Sequence, residues 1–96
     1  MTKLIVYSKE KHPQCEELKD ALNEVGMPYH EIDIRNPEAI TELRNNGCDA
    51  LEPPVLQVVH AHRSKWVFKN DDLFWDGQLI REAVMDVMRI SRIQAS

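Results

Sequence analysis

From Lys3 to Ser8 the chain reads Lys-Leu-Ile-Val-Tyr-Ser, an unbroken β-branched and aromatic run. A half-buried strand alternates apolar and polar residues; a continuous run must be covered on both faces. This is therefore a central strand, with other elements lying above and below it. The next residues supply one of those covers. Pro13 suits the first turn of a helix, where its missing N–H is not needed. Glu16 and Glu17 favour the positive N-terminal end. Leu18, Ala21, Leu22 and Val25 recur at helical spacing, and Gly26 is a natural stop.

The remaining elements follow the same logic. Residues 28–35, Pro-Tyr-His-Glu-Ile-Asp-Ile-Arg, alternate Tyr29, Glu31 and Asp33 with His30, Ile32 and Ile34, a second and half-buried strand. Asn36 caps a second helix, Pro37 takes its first position, Ile40 and Leu43 face inward, and Gly47 ends it. Val55 to Val59 form a third strand directly after Pro53 and Pro54. A turn through Ala61, His62, Arg63 and Ser64 leads to a fourth, Lys65 to Phe68, giving a hairpin with a longer loop. Residues 70–77 read as a turn. A last helix is expected from about Gln78 to about Arg92. Its inner face carries Leu79, Ile80, Ala83, Val84, Val87 and Met88, and Arg89 and Arg92 suit its negative end. The order is β-α-β-α-β-β-α: α/β, a four-stranded mixed sheet with three helices, the first two strands parallel through a right-handed crossover.

Ninety-six residues suggest one domain, 1–96, able to bury roughly two-thirds of its extended surface. With 43% hydrophobic and 29% charged residues, disorder is excluded. A net charge of -4 leaves no basic stripe for nucleic acid. No apolar run approaches the ~20 residues of a membrane span, and the start has no signal-peptide pattern, so a cytoplasmic location is expected. The two cysteines, Cys15 and Cys48, are too few for a disulfide scaffold and should be free thiols in a reducing compartment.

Nearly the whole chain resembles the glutaredoxins, within the thioredoxin fold. In that family the first strand ends in a Tyr-Thr-Lys-like triplet; here it is Tyr7, Ser8, Lys9. Cys-Pro-Tyr-Cys then opens the first helix; here the residues are His12, Pro13, Gln14 and Cys15. A Thr-Val-Pro stretch with a cis-proline precedes the third strand; here Glu52, Pro53 and Pro54 stand there, and Pro54 is the better match for the cis residue. The acidic turn after the fourth strand is matched by Asp71 and Asp72. The glycines before it are replaced by Phe68 and Lys69, which should narrow the groove. Residues 53–58 also resemble the N-terminal domain of glutathione transferases.

The resemblance implies thiol–disulfide exchange with glutathione as co-substrate, or a thiol/disulfide protein as partner. It assigns Lys9, Pro53, Pro54, Asp71 and Asp72 to the ligand groove, Lys9 at the glutathione carboxylate and the aspartates at its γ-glutamyl end. The family's exposed nucleophile corresponds to His12, and its shielded resolving position to Cys15. An internal disulfide between positions 12 and 15 is therefore impossible. Cys15 is either a lone nucleophile, aided by the helix end and by a protonated His12, or an inert packing cysteine. Pro53 has no N–H, so if Pro54 is cis, one of two docking hydrogen bonds is lost, about 0.5–1.5 kcal/mol.

His12 and Cys15 make half a zinc site at best, and His60 with His62 falls in the hairpin, so no metal is expected. Cys48 reads as a bystander, Phe74 and Trp75 as cover for the core, and Met85 with Met88 as packing. Two functions remain open: an atypical single-thiol redox protein built on Cys15 and His12, with weak or lost turnover, or a redox-inactive module that binds a peptide or partner beside Pro54.

Overall fold

The computed structural model describes residues 2–47, 52–60 and 65–93. Cys48 and the turn residues 61–64, His62 among them, lie outside the described residues. The elements run β1 (Thr2–Ser8), α1 (Pro13–Glu24), β2 (His30–Asp33), α2 (Pro37–Asn45), β3 (Val55–His60), β4 (Lys65–Phe68), α3 (Asn70–Leu73), β5 (Phe74–Trp75), β6 (Gln78–Leu79) and α4 (Arg81–Ile93).

The sheet order is β2-β1-β3-β4, so the Lys3–Ser8 run lies inside the sheet, as an apolar run requires. β1 pairs β2 in parallel and β3 antiparallel, and β3 pairs β4 antiparallel. Period-two alternation sorts the side chains. Leu4, Val6, Leu56 and Val58 face one side, where they meet Leu18 and Leu22 of α1 with Ala83 and Val87 of α4. Tyr7 and Val55 face the other, against Ala39 and Leu43 of α2. Burying one such leucine stabilises the fold by about 1.5–3 kcal/mol. The second side also holds a polar centre: the buried Tyr7 hydroxyl donates to Gln57 Oε1 at 2.8 Å. Burial, then the Glu42 carboxylate, pushes the Tyr7 pKa up.

Helix ends follow their capping chemistry. Asn36 Oδ1 accepts the Glu38 N–H at 2.9 Å, with Pro37 behind it. After α1, Gly26 takes a φ of +72°. Its N–H donates to the Asn23 carbonyl and that of Met27 to Leu22, so the orphan carbonyls find partners.

Four helices stand where three are expected, because residues 70–73 form a single helical turn. The last helix begins at Arg81, not Gln78. Gln78 and Leu79 pair instead with Trp75 and Phe74 around Asp76 and Gly77. Those two residues have φ of +51° and +77°, the backbone of a two-residue hairpin turn for which Asp-Gly is suited. Phe74 is buried as expected, but Trp75 is 78% exposed and Met85 58% exposed, so neither covers the core.

Candidate functional site

The strand-to-helix turn after β1 places the motif. Ser8 ends the strand, Lys11 bends the chain with a φ of +56°, and His12 is the N-cap of α1 in an extended conformation. The His12 carbonyl accepts the Glu16 N–H at 3.2 Å, while its side chain makes no capping bond. The imidazole is half-buried, and its Nδ1 is covered without a hydrogen-bond partner. No hydrogen bond joins it to Cys15 among the described residues, so the ring is not posed as a base for the thiol.

Cys15, in the first helical turn, is a free thiol with 0% of its surface exposed. Burial pushes its pKa up. The Lys9 backbone N–H and the Lys19 charge pull the other way, and the Glu16 and Glu31 carboxylates add to the rise. The helix start, which favours a thiolate in solvent, is outweighed by desolvation. At rest, then, the Cys15 thiol is buried, an environment shared by a covered nucleophile and a packing cysteine.

The prolines lie next to this turn. The Pro53–Pro54 bond is cis, and Pro54 is buried. Asn70 joins the two segments: its Nδ2 donates to Gln14 Oε1 at 2.9 Å and to the Pro53 carbonyl at 3.0 Å. Gln14 and Asn70 are the residues that sequence reasoning passes over. Each is an ordinary carboxamide in the sequence, and only the fold brings the pair together. The consequence is chemical. Pro53 has no N–H to offer, and one lone pair of its carbonyl is already taken, so a peptide backbone has little left to pair with.

The acidic turn is partly committed as well. Asp72 Oδ2 accepts the Lys69 N–H at 3.0 Å, closing the one-turn helix on itself. Asp71 and Lys69 are exposed. Phe68 does not narrow the groove: opposite Leu56 in the sheet, it packs against the main core.

Beside the motif, Lys9 and Lys11 are exposed at the rim of a polar depression. Within it, Ser8 Oγ donates to Glu31 Oε2 at 2.6 Å, and Lys19 Nζ lies 2.9 Å from the same oxygen and 3.1 Å from Glu16. The Ser8 hydroxyl first, then Lys19, holds the Glu31 carboxyl below its ordinary range. Next to it, Arg35 grips Asp33 with both side-chain and backbone donors and draws that carboxyl down to about 2. No cluster of three or more metal-binding side chains occurs among the described residues. No helix among them is long and apolar enough to cross a membrane.

Comparison with known proteins agrees with this geometry. Residues 4–59 match the glutaredoxin family. The chain is also similar to a protein of Bacillus subtilis (strain 168) named N-acetyl-S-hydroxy-L-cysteine reductase, 31% identical over 55 residues. That match covers 57% of this chain and 59% of the Bacillus protein. No solved structure matches the chain.

Proposed function

This chain belongs to the glutaredoxin family, and from that premise we propose that it is a thiol-redox protein with slow or lost turnover whose working sulfur, Cys15, is held protonated and covered at rest. One observation carries this reading: a motif thiol with no exposed surface, its pKa raised by burial, in a helix turn whose field favours the thiolate.

The exchange that such a sulfur supports uses one cysteine. When the seam held by Asn70 opens, the Cys15 thiolate attacks a disulfide R–S–S–R′, forms Cys15–S–S–R and expels R′S⁻. A second thiol, of the glutathione class, attacks that mixed disulfide and returns Cys15. A sulfenic acid R–S–OH enters the same way: the thiolate displaces hydroxide, which leaves as water after taking a proton. The Bacillus relative's name describes a small substrate of that kind. A small molecule suits this site, because it does not need the backbone pairing that Pro53 and Asn70 remove. Glutathione would find Lys9 and Asp71 exposed, and the second carboxylate oxygen of Asp72. A reducing cytoplasm keeps a lone thiol of this sort reduced.

The test is the pH dependence of Cys15 alkylation in folded Cys48→Ala protein. Slow modification that climbs with pH well past neutrality is expected. A thiolate already present below about pH 7 would contradict the covered-thiol reading. A sulfur silent until denaturation would leave the redox-inactive binding module. A glutathione titration followed by NMR tests the groove independently: shifts at Lys9, Pro54-flanking amides and Asp71 are expected, and still spectra there would retire glutathione as co-substrate.

A further inference from the structure

Away from the motif, α1 and α4 enclose a groove of about 360 Å³. Its floor is apolar: Ala21 from α1 and Val25 that caps it, Leu79 from β6, and Val84, Met85 and Met88 from α4. Val25 and Met85 are exposed, which leaves adjoining apolar surface facing water on two neighbouring helices. Methionine side chains are flexible and polarisable, so such a floor can adjust to the shape laid on it.

One wall is acidic. Glu17, Asp20 and Glu24 line the groove from α1, and their spacing of three and four residues sets them in one row about 10 Å long. All three are exposed, and none forms a salt bridge among the described residues. Glu17 also accepts the Leu79 N–H at 3.4 Å. Among the described residues that line the groove Arg81 is the one cation, so there three carboxylates face one guanidinium.

We propose that the α1–α4 groove docks a basic amphipathic helix of a partner protein, its Lys or Arg residues meeting Glu17, Asp20 and Glu24 and its apolar stripe seated on Val25, Met85 and Met88. An apolar trough with one acidic wall selects for that chemistry: burial supplies affinity, and the charge row steers the encounter and fixes the register. An anionic membrane surface carries the wrong sign. A second copy of this chain, docked by two-fold symmetry, is the competing occupant that the concentration series below tests. The proposal does not involve Cys15 and stands apart from the thiol reading.

The probe is a synthetic leucine–lysine amphipathic helix of about four turns, compared with a counterpart carrying glutamate for lysine. In a ¹H–¹⁵N titration the lysine peptide is expected to move the amides of Ala21, Val25, Leu79 and Met85 saturably, and the glutamate peptide to leave them in place. The emission of Trp75, which adjoins the groove through β6, should follow the same isotherm in a Trp66→Phe background. Reversing the row with Asp20→Lys and Glu24→Lys, or charging the floor with Met85→Asp, should each weaken binding about tenfold or more. These side chains are exposed, so the two variants probe the acidic wall and the apolar floor separately with little cost to the fold. The proposal is overturned if the glutamate peptide binds as well, if the shifts fall elsewhere, or if both variants bind unchanged. It is overturned equally if the groove amides move on concentrating the protein alone, which assigns the face to a second copy, or on adding phosphatidylserine vesicles.

Discussion

The two flanks of α1 differ in what the chain has done with its own groups. At the N-terminal end the central groups are engaged: the Cys15 sulfur is covered, Asn70 holds Gln14 and the Pro53 carbonyl, and Asp72 caps its own turn, with Lys9 and Asp71 exposed beside them. Along the flank facing α4 the reverse holds, with apolar side chains in water and a row of carboxylates that form no salt bridge among the described residues. The motif shows where the family's chemistry sits in the fold, and the flank facing α4 adds free apolar and acidic surface away from it.

The largest effect expected from that contrast is at Cys15. A side chain reached only through a local opening that costs about 3–4 kcal/mol reacts on the order of 10²–10³-fold more slowly than in denaturant. Alkylation of native against denatured Cys48→Ala protein, followed by mass spectrometry, measures it; equal rates would erase the difference between the flanks. Asn70→Ala comes next. Losing its two bonds should cost about 1–3 kcal/mol of stability and raise the Cys15 alkylation rate about tenfold, while the α1–α4 groove behaves as before. Unchanged alkylation would show that the seam does not guard the sulfur.

A smaller effect appears in alkali. The Cys15 pKa is raised in the folded state, so its contribution to stability is fully present below the unfolded thiol's value, about 8.5, and is lost as pH rises through the folded one. Denaturant midpoints at neutral and alkaline pH should therefore fall more for the parent than for Cys15→Ala. The smallest effect is at Ser8. The Glu31 pKa is lowered, so its contribution is present above the unfolded carboxyl's value, about 4.3, and is lost as pH falls through the folded one. Glu31 is largely solvated, and Ser8→Ala should cost only a few tenths of a kcal/mol at neutral pH, vanishing in acid.

The framework was legible because its signals are local. An unbroken apolar run placed β1 within the sheet, and Asn36-Pro37 fixed the start of α2. The resemblance led to a cis proline and left two candidates, Pro54 the better matched by its place before β3; the cis bond is Pro53–Pro54. The misread stretch, 74–80, shows one local signal losing to another. Leu79 and Ile80 fit the helical stripe of α4, yet Asp76-Gly77 turns the chain into a hairpin that takes Leu79 for β6. Trp75 and Met85 were assigned inward by hydrophobicity alone, and an apolar residue on a helix or hairpin does not announce which neighbour is missing. The state of Cys15 was out of reach for a different reason: its position on the helix argues for a thiolate, and only the packing around it reverses the sign.

The order of the sheet leaves its two borders unequal. On the β2 side Glu31 and Asp33 stand along the rim, and added backbone would have to lie against charge. On the β4 side the rim runs from Lys65 through Trp66, 49% exposed, to Val67 and Phe68. At high concentration any strand-to-strand accretion should therefore grow from one border, and a lysine placed at Trp66 is the substitution that would guard it.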